Sequence, residues 1–410
     1  MQECYLPTGN EWVSLPTLQA CTGALESFSF LHMGHKGLIE QRGGASLPLM
    51  TPFFETEGER ASLQSLTWGR KSDWIPTFCG TAGSLAVEGM LLAPVGERGF
   101  LYQLTVRSTS DKPLSSTFGL EGCWASAWHC VNEDKEIDGA RRCYTSLWND
   151  SLIFDMRCGL PLFAFAPMMD QPCSSTFQET DAGIVYRLAH NCTLEPGQAV
   201  TVTFYWGVGF EEVAAATSAK EMLRQGWQHE LQVTTDWLDA RRWPIPDAQL
   251  ERLYNTNLFF CLFYSAGITL DTEELVLVTS RSPRYYVSAA YWDRDSLLWS
   301  FPTVVDADPA LARRMLDYVF GRQRRNLGVH SRYIDGTVLE PGFELDELMA
   351  PVLALERYVG ATGDRDCLED NAIRSGLTDI LRTLRTKRHR SIALYETFLQ
   401  PTDDVRSYPY

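Results

Sequence analysis

The sequence predicts a chain of two textures, an antiparallel β-sandwich followed by a layered helical barrel. Three observations predict it. Up to about residue 215, short runs alternate apolar and polar residues with the period of a strand. Beyond that point the apolar spacing lengthens to that of a helix. Gly, Pro, Ser and Asp punctuate the first half, whereas longer, charged segments join the apolar stretches of the second. The expected division is a sandwich over 1–215, a helical linker over 216–246 and a helical domain over 247–410. With 410 residues, 45% of them hydrophobic, the chain can bury more than one core.

In the first half, Phe100, Tyr102, Leu104 and Val106 alternate with Leu101, Gln103, Thr105 and Arg107. Val202, Phe204, Trp206, Val208 and Phe210 alternate in the same way with Thr201, Thr203, Tyr205 and Gly207. Segments 83–92, 151–157, 161–166 and 183–190 are further short apolar or alternating runs. Many short strands at this spacing suit a sandwich.

Residues 211–242, rich in Ala, Glu, Gln and Leu, read as a helical connector, which Pro244 and Pro246 end. Asp247 is an expected N-cap for a helix with Leu250, Leu253, Tyr254, Asn257, Leu258, Cys261 and Leu262 on one face. Asp308-Pro309 starts another, carrying Leu311, Met315 and Val319. Leu345, Leu348, Met349, Val352 and Leu355 mark a third, ending near Gly360 and Gly363. Leu368, Ile373, Leu377, Ile380, Leu381 and Leu384 mark a fourth.

The formal net charge of −16 repels phosphate backbones, which argues against nucleic-acid binding. The densest cationic run, 382–390, reads as one face or end of a helix. No secretory signal and no membrane-spanning stretch is visible. The 11 cysteines form no Cys-x-x-Cys pair and no Cys/His cluster at zinc spacing. Reduced, mostly buried thiols in a soluble cytoplasmic protein are expected.

Three loops concentrate chemistry. Tyr291-Trp292-Asp293-Arg294-Asp295-Ser296 places an aromatic, a guanidinium and two carboxylates together. A carboxylate accepts hydrogen bonds from vicinal hydroxyls, and an adjacent guanidinium can fix it while donating to the same ligand. A salt bridge beside a core Trp explains the residues equally well. The segment from Asp335-Gly336-Thr337 to Glu340, Glu344, Asp346 and Glu347 gathers acids where a helix should start, and the helix dipole alone accounts for part of that. Metal binding there is disfavoured, because no His stands at ligand spacing among these acids. Gln400-Pro401-Thr402-Asp403-Asp404 doubles a carboxylate. A like-charged neighbour and partial burial raise the pKa that a general acid needs, although an exposed turn is the plainer reading.

In this order the three loops resemble glycoside hydrolase family 125, the metal-independent exo-α-mannosidases. That family carries W-x-R-D-S, then W-E-L-D-S-L-C-Y-P, then S-D-D. Here they stand as Trp292 to Ser296, as Phe343-Glu344-Leu345-Asp346-Glu347-Leu348-Met349-Ala350-Pro351, and as Thr402-Asp403-Asp404. The first motif is also similar to that of glucoamylases and related (α/α)6 enzymes. The resemblance covers roughly residues 247–410 and implies an N-terminal β-sandwich followed by an incomplete (α/α)6 barrel. It implies that Trp292, Arg294, Asp295, Glu344, Asp346 and Glu347 line the subsite of a terminal sugar, and that Asp403 or Asp404 is the general acid. No metal or other cofactor is implied, and the expected partner is an oligosaccharide. Phe343, Glu347 and Met349-Ala350 depart from the family pattern, which leaves mannose and glucose open.

The implied reaction is removal of a terminal sugar from α-linked oligosaccharides with inversion, α-mannosides preferred. An amylo-α-1,6-glucosidase or glucoamylase-like activity, and a phosphorylase, use the same loops. No general base is matched within the sequence. The expectation is therefore a fragment of a longer barrel or, if the shorter form is natural, a non-catalytic glycan-binding protein.

Overall fold

The computed structural model describes residues 6–147 and 149–397. These divide into two compact units. One takes the residues up to Phe30, Ile39–His129 and Asp134–Ala240; the other takes Leu31–Leu38, Cys130–Glu133 and those from Arg241 onward.

The first unit is built on antiparallel sheets. An eight-stranded sheet runs in the order Ala140–Thr145, Leu152–Cys158, Leu160–Met169, Ala199–Gly209, Gly99–Ser108, Leu85–Leu92, Ile75–Ala82, Leu63–Lys71. A five-stranded sheet runs Ser174–Thr180, Gly183–Leu194, Leu114–Trp124, Thr51–Thr56, Glu59–Ala61. A six-stranded sheet uses strands between Thr8 and Glu136. The expected strands at 100–106 and 202–208 are neighbours, with Phe100 opposite Trp206 and Leu104 opposite Val202.

Aromatic rings from different sheets meet in the core. Trp124 of the five-stranded sheet lies edge-on to Phe165 of the eight-stranded one at 5.1 Å, and Tyr186 meets Trp206 across the same two sheets at 5.6 Å; Phe154 stacks on its strand neighbour Phe165 at 4.7 Å. Such tilted and offset pairs add to the burial of large rings. This is the sandwich packing that alternation implies; Phe210, which the alternation included, lies just past its strand and is exposed.

Helices α1 (Glu212–Gln225) and α2 (Trp227–Asp239) follow, parted at Gly226, whose φ of 85° an L side chain resists. Helix α1 lies against the strands Leu160–Met169 and Ala199–Gly209 through Ala215, Ala216 and Ala219, all fully buried. The approach is close because Gly207 faces it. A Cβ there would stand 2.1 Å from the Ala215 carbonyl oxygen and 2.3 Å from the Ala219 nitrogen.

The second unit holds, among the described residues, α3 (Ala248–Tyr264), α4 (Phe301–Ala307), α5 (Pro309–Tyr318), α6 (Leu345–Thr362) and α7 (Asn371–Thr386), with two hairpins. Five α-helices do not close the twelve-helix ring that the family resemblance implies. Helix α4 packs on α3, α5 and α6, and α6 also packs on α7. Asp247, Asp308 and Asp370 cap α3, α5 and α7 with their carboxylates, and Gly363 ends α6 in the left-handed region.

The face expected for α3 is corrected. Leu250, Leu253 and Tyr254 are exposed, and the buried stripe is Asn255, Leu258, Phe259, Leu262 and Phe263. Asn255 sets this rotation: its Oδ1 accepts from the Trp243 N–H at 2.9 Å, and its Nδ2 donates to the Trp243 carbonyl at 3.0 Å and the Glu251 carbonyl at 2.9 Å. A polar side chain with these bonds is the better one to bury.

No disulfide joins the described cysteines, and four of them, Cys123, Cys130, Cys143 and Cys367, are buried. No helix of the described residues is long and apolar enough to cross a membrane.

Replacing Gly207 by Ala should lower stability by about 1–3 kcal/mol through overpacking against α1. Gly360→Ala, on the exposed side of α6 with open space around a Cβ, should raise it by about 0.5–1 kcal/mol. Urea unfolding of the two variants checks both signs.

Candidate active site

The Trp-x-Arg-Asp-Ser segment is a helix start rather than a loop. Asp293 and Arg294 open a helical stretch that runs as a π-helix over Asp295–Ser300 into α4. Single π turns inside helices often mark functional positions. The start is anchored across a short bridge, in which the Tyr291 N–H donates to the Arg332 carbonyl at 2.9 Å and the Arg332 N–H returns to the Tyr291 carbonyl at 3.0 Å.

Beneath it lies a buried ion pair. Arg332 Nη2 meets Asp293 Oδ2, with both side chains fully excluded from solvent. The Tyr291 hydroxyl donates to Asp293 Oδ1 at 2.5 Å, Arg332 Nη1 donates to the Gln323 carbonyl at 3.2 Å, and the guanidinium lies 4.9 Å from the Tyr291 ring centre. These extra bonds allow a dry pair to hold, since Coulomb attraction alone barely offsets desolvation.

Asp335-Gly336 folds strand Val329–Arg332 back onto strand Val338–Phe343. Asp335 Oδ1 accepts from the Thr337 N–H at 2.9 Å and its hydroxyl at 2.6 Å, and Gly336 takes a φ of 83°. The hairpin ends at Glu344, the residue before α6, whose first turn carries Asp346 and Glu347. His330 thereby reaches the acids: its Nδ1 is 3.1 Å from Glu344 Oε1 and its Nε2 is 3.5 Å from Glu340 Oε2. Its ring stands edge-on to Trp292, 5.6 Å between centres.

Arg294 is the centre of the cluster. Its Nη1 donates to Asp346 Oδ2 at 3.1 Å and lies 3.5 Å from Glu344 Oε2 and 3.8 Å from Glu347 Oε1. Its Nε donates to Asp295 Oδ2 at 3.3 Å, and its backbone N–H to Glu347 Oε2 at 3.2 Å. Glu344, Asp346 and Glu347 each bring an oxygen within 4.8 Å of the others, a spacing that could hold a cation. The cation at that position is the guanidinium.

Four carboxylates around one guanidinium leave an excess of negative charge in a dry place. Burial, with the Asp293 charge beside it, holds Glu347 well above the usual carboxylate range against the pull of Arg332 and Arg294. Burial also raises Asp295, against Arg294. The Glu344 carboxylate beside it raises His330, against burial. Within this charged group, Trp292 Nε1, His330 Nδ1, Glu344 Oε2, Asp346 Oδ1 and Glu347 Oε1 are buried without a hydrogen-bond partner among the described residues. Buried polar atoms are rarely left so, and a polar ligand is one way to satisfy them.

The structure therefore brings together Trp292, Arg294, Asp295, Glu344, Asp346 and Glu347. Asp403 and Asp404 lie outside the described residues. His330, Arg332, Asp293 and Tyr291 are additions. The signal for His330 was the Asp-Gly turn, which predicts a hairpin and hence a partner for the acidic strand. A separate hollow of about 700 Å³, lined by Glu274, Arg314, Asp317, Tyr318, Arg322 and Asp335, includes none of the cluster. Several of its charges are already matched, Arg322 with Glu274, Lys36 with Asp335 and Arg313 with Asp317.

No family model matches the chain, and no curated protein sequence does. Among solved structures, the chain is similar to a putative kojibiose phosphorylase from human microbiome, with a TM-score of 0.59 at 11% identity, over 92% of this chain and 56% of that one. It is similar also to a bacterial glucoamylase complexed with acarbose, with a TM-score of 0.50 at 11% identity, over 94% of this chain and 59% of the other. A family GH92 α-mannosidase from Bacteroides thetaiotaomicron gives a TM-score of 0.41 at 8% identity, over 96% of this chain and 65% of that one. The chain thus spans little more than half the length of the first two. They share its fold, a β-rich N-terminal domain followed by a helical one.

Arg332→Met should destabilise the protein by about 3–5 kcal/mol, because it strands a buried Asp293 charge, and adding Asp293→Asn should restore part of that loss. A double-mutant cycle in urea measures it. The pH dependence has a definite sign. His330 has a raised pKa in the folded chain, so its contribution is fully present below the ordinary histidine pKa and is lost as pH rises through the raised value. Unfolding free energies from pH 5 to 8 should show this decline, and His330→Gln should flatten it.

Proposed function

We propose that the chain carries the terminal-sugar subsite of a glycoside-processing enzyme that releases a sugar from the end of α-linked oligosaccharides, α-mannosides preferred. The observation that carries the proposal is the set of buried, unpartnered polar atoms around Arg294. A sugar hydroxyl both donates and accepts. Vicinal hydroxyls can therefore satisfy Glu344, Asp346 and the Trp292 N–H at once. Trp292 and His330 offer apolar surface beside them. Acidic groups of this kind suit a neutral ligand and disfavour an anionic one.

In the proposed chemistry, Asp403 or Asp404 gives its proton to the glycosidic oxygen as the bond from that oxygen to the anomeric carbon breaks. A water attacks the same carbon from the opposite face, and a carboxylate base takes the water's proton, so the product emerges inverted. Positive charge develops at the ring in the transition state, and the negative surroundings of the subsite favour it.

A second reading is α-glucoside cleavage by water or phosphate. It is supported by the names of two fold relatives, a glucoamylase and a putative kojibiose phosphorylase.

The deciding experiment follows sugar binding and release from α-linked mannobioses and glucobioses, with and without inorganic phosphate. Mannose released as the β-anomer is the expected result. Glucose, or a dependence on phosphate, moves the assignment to the second reading. Binding without release under any of these conditions assigns the cluster to glycan recognition alone, and the absence of binding refutes the proposal. Arg294→Ala should lower kcat/KM by about 10²-fold or more through lost positioning, with Arg294→Lys intermediate because an ammonium cannot serve several carboxylates with a planar fork. Steady-state kinetics on the preferred disaccharide checks the order.

A further inference from the structure

The first unit carries a further recess, lined by apolar and polar side chains, that the proposed chemistry does not use. It is a groove of about 520 Å³ between the solvent side of the eight-stranded sheet and helix α2. Its floor comes from four adjacent strands, Gly99–Ser108, Leu85–Leu92, Ile75–Ala82 and Leu63–Lys71. Thr77 stands opposite Met90, Met90 opposite Gln103, and Glu88 opposite Thr105. Paired residues share a face, so Glu88 and Thr105 stand side by side at about the 4.8 Å strand spacing, while Met90 parts Thr77 from Gln103. One wall is apolar. Trp227 and Leu231, one turn apart on α2, both line the groove. The Tyr205 hydroxyl fixes that wall by accepting from the Trp227 N–H at 3.0 Å.

We infer that this groove binds a neutral oligosaccharide. Gln103 is 9% exposed yet makes only a long bond, from Nε2 to Thr203 Oγ1 at 3.4 Å. A buried amide so thinly bonded gains most from a ligand that offers hydroxyls. Neutral donors and acceptors beside a flat indole match the two sides of a sugar ring, its hydroxyl edge and its apolar face. Glu88 and Lys71 both line the groove, so it carries no net charge to select an anion. The groove's size lies within the range of small-ligand sites, roughly 300–1,000 Å³. The choice of an α-linked glycan as ligand rests on the function proposed above; the presence of a sugar site does not.

The test uses hydrogen exchange on the unmodified chain, together with calorimetry. Saturating maltoheptaose or an α-1,6-linked mannotetraose should slow exchange in 75–92 and at 103–105. Trp227→Ala and Gln103→Ala should each weaken that binding at least tenfold while leaving disaccharide turnover unchanged. Thr105→Val, a near-isosteric change, should weaken it less, which separates lost contacts from lost folding. Arg294→Ala should leave the groove's protection intact. Exchange that is unaltered at these strands, or binding that Arg294→Ala removes entirely, overturns the inference. Protection without sugar release would sink the proposed function and keep the groove; release without protection would do the reverse.

Discussion

The ion pair between Asp293 and Arg332 joins two stretches of chain that sequence keeps apart, a helix start and a hairpin strand. Both charges are dry, so each must keep the other. The partners around them, the Tyr291 hydroxyl and the Gln323 carbonyl, leave little freedom in how they meet. The residues beside the pair inherit that constraint. Arg294 comes directly after Asp293, and His330 stands two before Arg332. Glu344, Asp346 and Glu347 take their places once the hairpin has closed. A cluster of charges from three places in the sequence is thus referred to one buried contact.

The charge balance of the cluster has consequences of its own. A guanidinium can bridge several carboxylates because its donors lie in a plane with a fixed fork. It cannot neutralise four of them. Burial makes the remaining repulsion expensive, and it acts as upward pressure on the pKa of both Glu347 and Asp295. The Trp292 N–H adds a donor beside the carboxylate acceptors, and a sugar ring's hydroxyls, which both donate and accept, can meet such a mixed set.

Much of the fold was legible because it rests on short-range periodicity. The alternation at 100–106 and 202–208 identified two strands that prove to be neighbours, and Asp247 and Asp308 before apolar runs marked two helix starts. The face of α3 was not legible. The period was right, but the phase is set by Asn255, whose bonds reach back to Trp243, and a hydrophobicity pattern gives no weight to a satisfied amide. In the site, the motif residues were readable because they are close in sequence. His330 was not, since its place among the acids comes from strand pairing across the Asp335-Gly336 turn. Spacing along the chain therefore hides a His that stands beside these acids in space. The stronger reason against a metal ion is the guanidinium in their midst.

The two candidate sugar sites differ in physical kind, and the difference bears on what each could do. In the cluster, unpartnered polar atoms are already out of water, so their desolvation has been met during folding and a ligand's hydroxyls are gained at nearly full strength. Such a place discriminates sharply, because an epimer that misplaces one hydroxyl leaves a buried group unsatisfied. The groove's Thr77, Glu88 and Thr105 remain wetter, so each bond to a ligand replaces one to water and yields little net free energy. Affinity there must come mainly from the indole of Trp227 and from the length of glycan in contact. A dry, charged cluster suits recognition of one terminal ring at the point of reaction, and a wetter groove without net charge suits holding a chain whose register is free to slide.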